Sequence, residues 1–449
     1  MSGAYLSWWA IVRLGLVQTA LGAVVVLTNT TLNRIMVVEY ALPAMLPGAL
    51  VAFHYAVQMS RPRWGYGSDV GGRRTPWIIG GMVVLAVGGF LAAWGTALLA
   101  DSFALGLVVC IFAFALIGGG VGACGTSLLA LLATHVSPRR RPAAASIVWI
   151  MMIVGFVVTA ATTGQLLDPF SAERLLAVSA GVSAIAFTVV CLAIVGVEPR
   201  AARGQPASAG GPGSTKTDFR MALAQVWSEP AARRFTIFVF ISMLAYSAQD
   251  LILEPFAGHV FGMTVGESTQ LGATHHGGVL AGMVLVACLG SGFGGAVLGS
   301  MRFWAVGGCV GSAGAFAGLA MAALAPAAWP LHANVFALGL ANGAFAVAAI
   351  GSMMGLAGKG AERREGTRMG LWGAAQAVAF GIGSFAGTAA VDGARLVHGA
   401  VAPAYATVFL LEGALFVVSA VIALRVAPAA AIGGNHHGDP DAVLLQAAE

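Results

Sequence analysis

From Thr75 to Ala100 the chain runs without one charged side chain, and stretches of this kind recur along its whole length. A helix needs about 20 predominantly apolar residues to cross the hydrocarbon core of a bilayer. Twelve segments meet that need, beginning near residues 11, 42, 76, 103, 143, 175, 233, 277, 302, 331, 369 and 403. Charged residues make up only 9% of the chain and hydrophobic ones 58%, against roughly 25% charged in an ordinary soluble domain. An aqueous globule could not hide that much apolar surface, so lipid is the solvent this sequence suits. The first segment lacks the basic start of a signal peptide and continues to Thr28, so it is expected to remain as a span. The fold class expected is an all-α membrane protein of twelve transmembrane helices.

The longest polar stretch is rich in Pro, Gly and Ser (RGQPASAGGPGSTKTD) and reads as a flexible linker. It divides the spans six and six. The expected organisation is a first six-helix half over 1–197, a linker over 198–232, a second half over 233–426 and a tail over 427–449. Loops after odd-numbered spans carry only Arg34, Arg174 and Arg395, and Arg13 and Arg425 lie near the ends. Every other Lys or Arg of the 23 falls in a loop after an even-numbered span. By the positive-inside rule both termini and the linker are expected on the cytoplasmic side. The halves also echo each other. SPRRRPAAASIVW resembles GAERREGTRMGLW, with Arg141 and Trp149 answering Arg364 and Trp372, and Asp168 and Asp392 close the spans that follow. LNRIMVVEYALP can likewise be laid on AQDLILEPFAG, Asn33 over Gln249 and Arg34 over Asp250. Two like-oriented six-helix halves are the layout of major facilitator transporters.

The loop RPRWGYGSDVGGRR gathers five charges between spans 2 and 3. Gly65, Asp69, Gly72, Arg73 and Arg74 resemble the signature G-x-x-x-D-[RK]-x-G-[RK]-[RK] of the major facilitator superfamily; Val70 stands where a basic residue is usual. Glycines permit the tight turn, and Asp69 is placed to accept N–H and Arg bonds at a helix end. The resemblance implies a latch between the halves on the cytoplasmic side. Setting topology by charge alone is the plainer reading of the same residues.

Longer stretches narrow the branch. RLGLVQTALGAVVVLTNTTLNRIMVVEYALPAMLPG, RPRWGYGSDVGGRRTPWIIGGM and SMLAYSAQDLILEPFAGHVFGMTVGESTQLGATHHGGVLAGM are similar to the PucC/LhaA family of light-harvesting complex assembly proteins in purple photosynthetic bacteria. The likeness spans nearly all twelve segments and fades in the linker and after Arg425. It implies an inner (intracytoplasmic) membrane protein that delivers bacteriochlorophyll to nascent antenna polypeptides or chaperones them. Bacteriochlorophyll a or a precursor is then the implied bound cargo. Antenna polypeptides, bacteriochlorophyll synthase and membrane lipids are the implied partners, and no nucleic acid.

Ionisable residues within a membrane are costly unless paired. Arg34 and Glu39 close span 1, and Asp250 and Glu254 close span 7, which the repeat sets opposite. Arg34 is expected to pair with Asp250 across the halves, with Glu39, Glu254, Asn33 and Gln249 beside them; simple solvation at the membrane surface is the bland alternative. The pigment's magnesium calls for a neutral His. His54 is the histidine expected well inside a span, four residues before Gln58, while His275 and His276 are expected at the outer mouth of span 8, with His259, His332 and His398 also on that side. His54 is the first ligand candidate, then His275 and His276, against the commoner role of a hydrogen-bonded structural histidine. Glu412 and Gln376 are isolated polar positions in spans 12 and 11, and a hydrogen bond to a neighbouring helix is expected for Glu412 rather than proton coupling. The glycine-rich faces of spans 4, 8 and 10 are read as close helix packing. The five cysteines, lacking CxxC spacing, are read as small core residues.

An enzyme is not expected. No Asp-rich diphosphate motif or Walker A loop is present, nor any zinc or serine-nucleophile signature. The alternative is a secondary transporter, proton-coupled or not, of a small lipophilic solute, since fold does not fix function.

Overall fold

The computed structural model describes residues 5–61, 73–137, 140–198, 227–289, 298, 300–357 and 365–426. Among them the chain forms twelve long helices. The first half holds α1 (Trp8–Glu39), α2 (Met45–Gln58), α3 (Thr75–Asp101), α4 (Phe103–His135), α5 (Arg141–Leu166) and α6 (Ala172–Ile194). The second holds α7 (Pro230–Phe261), α8 (Val265–Cys288), α9 (Met301–Leu324), α10 (Leu331–Ala357), α11 (Glu365–His398) and α12 (Val401–Val426). Eleven are long and apolar enough to cross a membrane. The exception is α2, whose 14 residues reach about 21 Å of the ~30 Å hydrocarbon core.

Local chemistry sets the helix ends. Ser7 and Ser171 accept from the N–H groups of Ala10 (3.2 Å) and Arg174 (3.1 Å) and cap α1 and α6. Pro76, Pro142 and Pro230 sit in the first turns of α3, α5 and α7, where a missing N–H does no harm. The main departure from expectation is α8, which starts at Val265 rather than near 277. Its first three turns (VGESTQLGATHH) are too polar to read as a span, yet Gly262 ends α7 at φ 66° and Thr264 with Glu267 forms a reciprocal capping box. His275 and His276 therefore lie mid-helix and buried, not at an outer mouth.

Two hydrophobic clusters follow the halves. One is built from α1–α6 with Leu251 and Val265 joining it, the other from α7–α12. Within the first, α3 and α4 lie backbone to backbone: a Cβ at Gly120 would stand 2.6 Å from the Leu85 nitrogen. The glycine faces of α4 and α10 are thus packing surfaces among the described residues, Gly339 and Gly343 lying against the α8 backbone in the same way. Cys110, Cys124 and Cys309 are buried thiols. Facing lipid, α3 presents Val83, Val87, Phe90 and Trp94, and α12 presents Leu410, Val417, Val421 and Leu424, all exposed.

The halves meet along α5–α8, α2–α11 and α1–α7. Ile150, Ile153 and Phe156 of α5 pack on Val279, Leu280 and Met283 of α8. Tyr55 of α2 stacks on Phe380 of α11 at 5.5 Å between ring centroids. At the end of the bundle where α7 turns into α8, two carboxylates reach across this seam. Asp168, just past α5, accepts from the Thr264 hydroxyl (2.6 Å) and the Gly266 N–H (3.1 Å) at the start of α8. Asp392 of α11 accepts from the N–H groups of Ala44 (3.1 Å) and Met45 (2.8 Å) at the start of α2. Each carboxylate meets the positive end of a helix dipole in the other half, and Ala44 has no side-chain oxygen to cap α2 itself. The sequence repeat that aligned Asp168 with Asp392 is therefore also a repeat of function at the seam.

Candidate functional site

Between α1, α7 and α8 the seam turns polar. In α1 the helix widens to π geometry over Leu27–Thr31 and again over Ile35–Glu39, a distortion often found at functional positions. The intervening turn carries Asn33 and Arg34, both buried. Asn33 donates to the Leu251 carbonyl of α7 at 2.6 Å. Arg34 pairs with Glu39 on its own helix and donates to the Met263 carbonyl of the other half at 2.6 Å. The ion pair expected between Arg34 and Asp250 is not made. Arg34 does bridge the halves, but through a carbonyl, because Glu39 lies about one turn further along the same helix and takes the guanidinium first.

Asp250 and Glu254 stand one turn apart on α7 and line a small cavity with Thr30, Gln249, Leu253, Gly272, His275 and His276. Its volume is about 10 Å³, room for one water. Across the same seam the hydroxyls of Thr31 and Thr269 stand 3.4 Å apart. The His275 Nε2 faces the amide nitrogens of Gln249 (3.5 Å) and Asn342 (3.3 Å). Asn342 in turn accepts from Ser312 at 2.8 Å, so its amide nitrogen is left to donate to His275. That makes His275 a neutral imidazole protonated on Nδ1. His276 packs its ring on Phe156 of α5, 4.9 Å between centroids, and its Nδ1 has no hydrogen-bond partner. Glu254 is only 2% exposed, and the neutral Thr30 hydroxyl and the Arg34 guanidinium are the groups that act on its carboxylate.

Glu412 on α12 is 3% exposed and has neither oxygen hydrogen-bonded. The hydrogen bond expected to a neighbouring helix is absent, and the charge acting on it is that of Asp250. Sequence inspection set no carboxylate near Glu412 because Asp250, the charge that acts on it, sits on α7, far along the chain. Gln376 of α11 meets the Met243 sulfur at 3.8 Å.

His54 is buried on α2, with Nδ1 3.3 Å from the Val51 carbonyl and Nε2 2.7 Å from the Gln58 amide nitrogen. Gln58 also accepts from Arg61. Both ring nitrogens of His54 are therefore engaged, whereas His276 keeps one free. His259 contacts the Tyr405 hydroxyl (3.1 Å) and Arg395 (3.0 Å) at the far end of α7, and His398 contacts Thr407 at 2.9 Å.

Of the loop between α2 and α3, Gly65, Asp69 and Gly72 lie outside the described residues. Arg74 donates to the Ala130 carbonyl of α4 at 2.6 Å. Glu198, just past α6, accepts from the Arg74 and Thr75 N–H groups (2.7 and 3.1 Å) and the Thr75 hydroxyl (2.6 Å), with Arg73 3.9 Å away. Burial works against its charge, but these hydrogen bonds and Arg73 outweigh burial and hold the Glu198 carboxyl below the ordinary range. Nothing in the sequence singled out Glu198; its only signal was an acid at the close of span 6.

Solved structures with a similar arrangement include two transporters. The nucleoside transporter NupG superposes with a TM-score of 0.65 over 93% of this chain and 98% of that one, at 15% identity. A bacterial homologue of the human lysosomal transporter Spinster gives 0.62 over 93% and 95%, at 17% identity. At such identities the likeness establishes the fold, the major facilitator arrangement of a multi-pass membrane protein. Sequence relatives are nearer. The "Bacteriochlorophyll synthase 44.5 kDa chain" of Rhodobacter capsulatus is 51% identical over 424 residues, 94% of this chain and 96% of its own. "Protein PucC" of Cereibacter sphaeroides is 30% identical over 92% of this chain and 91% of its own. The family described as PUCC protein matches residues 31–431, and the chain belongs to that family.

Proposed function

We propose that this protein is an assembly factor for photosynthetic light-harvesting complexes, delivering bacteriochlorophyll to nascent antenna polypeptides or chaperoning them in the membrane. The observation that carries the reading is near full-length identity of 51% to a protein named as a bacteriochlorophyll synthase chain. The 30% relative named PucC adds to it. Neither the sequence motifs nor the transporter fold gives reason to assign it a catalytic step of its own. It would act in the inner (intracytoplasmic) membrane with both termini cytoplasmic, as its arginine distribution implies.

Bacteriochlorophyll a or a precursor is its proposed cargo. The cavity at His275 and His276 holds about one water, so a bacteriochlorin could occupy the seam only after the halves part. His276, with an unengaged ring nitrogen, is the first choice of magnesium ligand, ahead of His275, whose Nε2 faces two amides, and His54, whose ring nitrogens are both engaged. The test is a near-infrared spectrum of the protein purified in mild detergent from a pigment-synthesising host. A pigment band in the parent that is lost in His276→Ala supports delivery from the seam. A band that survives His54→Ala, His275→Ala and His276→Ala together moves the site elsewhere. No band, with antenna polypeptides co-purifying, leaves the chaperone role.

A second reading, transport of a small lipophilic solute, draws on the buried carboxylates Glu254 and Glu412 in a transporter fold. Counterflow of a candidate solute in liposomes, without pigment or antenna binding, would favour it.

A further inference from the structure

We propose that Arg395, with His259 and Tyr405, holds the phosphate group of a membrane phospholipid at the end of the bundle where α7 turns into α8. Three elements meet there. Arg395 lies near the end of α11, His259 near the end of α7 and Tyr405 early in α12. The Arg395 guanidinium sits over the Tyr405 ring, 5.5 Å from its centroid, a contact that orients the charged group. Its Nη2 stands 3.0 Å from the His259 Nδ1 and 3.3 Å from the Tyr405 hydroxyl. A guanidinium only donates, so the His259 Nδ1 accepts and its imidazole is neutral. Tyr405 adds a phenol, neutral as well, from a side chain that is 1% exposed.

The charge of Arg395 therefore meets two neutral groups and an aromatic face. Among the described residues no carboxylate lies within ion-pair distance of it. Asp392, about one turn back on α11, gives its oxygens to the Ala44 and Met45 N–H groups, and Glu39 is paired with Arg34. The Arg395 Nε is buried without a partner, and only Nη2 is hydrogen-bonded among the described residues. A cation at this depth is costly without an anion, and phosphate is an anion that the planar fork of an arginine fits. The neighbouring chain points to lipid as its source. Leu396 and Val397 follow directly and are 88% and 83% exposed, and α11 ends at His398. The guanidinium then lies at headgroup depth, with two apolar side chains beside it for the acyl chains of the same molecule. Free phosphate would make no use of that apolar pair.

The experiment is native mass spectrometry of the full chain in mild detergent, titrated with dioleoylphosphatidylglycerol. The parent is expected to bind one lipid about tenfold more tightly than Arg395→Gln, the change for losing a charge-assisted hydrogen bond. Dioleoylglycerol, with the same chains and no phosphate, should bind the parent no better than it binds the variant, and inorganic phosphate should not displace the phospholipid. Arg174→Gln removes an arginine at the same end that already donates to the Pro169 carbonyl, and should leave binding unchanged. Leu396→Asp alters an exposed side chain and sets a like charge beside the phosphate. It should weaken binding too, which keeps the proposal open to test if Arg395→Gln does not fold. Equal binding of the phospholipid by the parent and both variants would overturn the proposal. So would equally tight binding of dioleoylglycerol by the parent, which would leave the phosphate no part. Displacement by inorganic phosphate would also overturn it, giving the site to a free anion.

Discussion

Arg34 shows how one side chain can bridge two halves without an ion pair between them. Its charge is satisfied within α1 by Glu39, and its reach across the seam ends on the Met263 carbonyl. Replacing Arg34 with Asp puts a buried carboxylate beside the exposed Glu39 and breaks the contact with the Met263 carbonyl, and it is expected to destabilise the protein by about 1–3 kcal/mol, the range for a buried polar group left unpaired. Asp250→Arg should not rescue it, and melting in detergent of the single and double variants would show this. Glu198 gives a pH-dependent prediction. Its carboxyl is held below the ordinary value in the folded state. Its stabilisation is therefore complete above the unfolded-state value of about 4.3 and disappears as pH falls through the lower folded value. Glu198→Gln should cost about 1–3 kcal/mol at neutral pH, the penalty for hydrogen bonds left unmade. The gap between parent and variant should close on acidification, and a gap constant with pH would contradict the assignment. Sequence placed Asn33, Arg34, Gln249, Asp250 and Glu254 in one region, because the internal repeat laid them over one another. It could not give the partners. A helical neighbour such as Glu39 competes with any residue across the seam, and only coordinates settle which wins.

At the scale of elements, the helix N-termini of α2 and α8 are the parts most open to test. Each is held by a carboxylate from the other half, Asp392 and Asp168. Asp168→Ala and Asp392→Ala should each lower stability by about 0.5–2 kcal/mol, the ordinary worth of a helix cap. They should also loosen this end of the seam. A cysteine at Thr269, buried against Thr31 in the parent, should then react with a membrane-impermeant thiol reagent faster in the variants. Equal labelling would mean the carboxylates do not hold the halves together. Most helices were legible as apolar runs, and α4 and α10 start where the runs start. The first three turns of α8 were not, because they trade apolar residues for a buried seam of Ser268, Thr269, His275 and His276. The signal that could have found them was the Thr264–Glu267 capping box after Gly262.

For the whole molecule, a two-half transporter fold has its lipid-facing exterior apolar and its polar side chains gathered at the seam. At His275 and His276 that seam holds a cavity with room for about one water. The seam's carboxylates, histidines and amides come from α1, α7, α8, α10 and α12, which is why motif searches along the chain found only fragments of the site. The most direct measurement of the assembly role is made in cells. The gene for this protein is placed on a plasmid in a pigment-synthesising bacterium from which the family's own member has been deleted, and antenna absorption is compared with total extractable bacteriochlorophyll, with and without that plasmid. The expected result is antenna absorption lost without the plasmid, while pigment synthesis continues, and restored with it. Antenna absorption that the plasmid fails to restore would contradict the account.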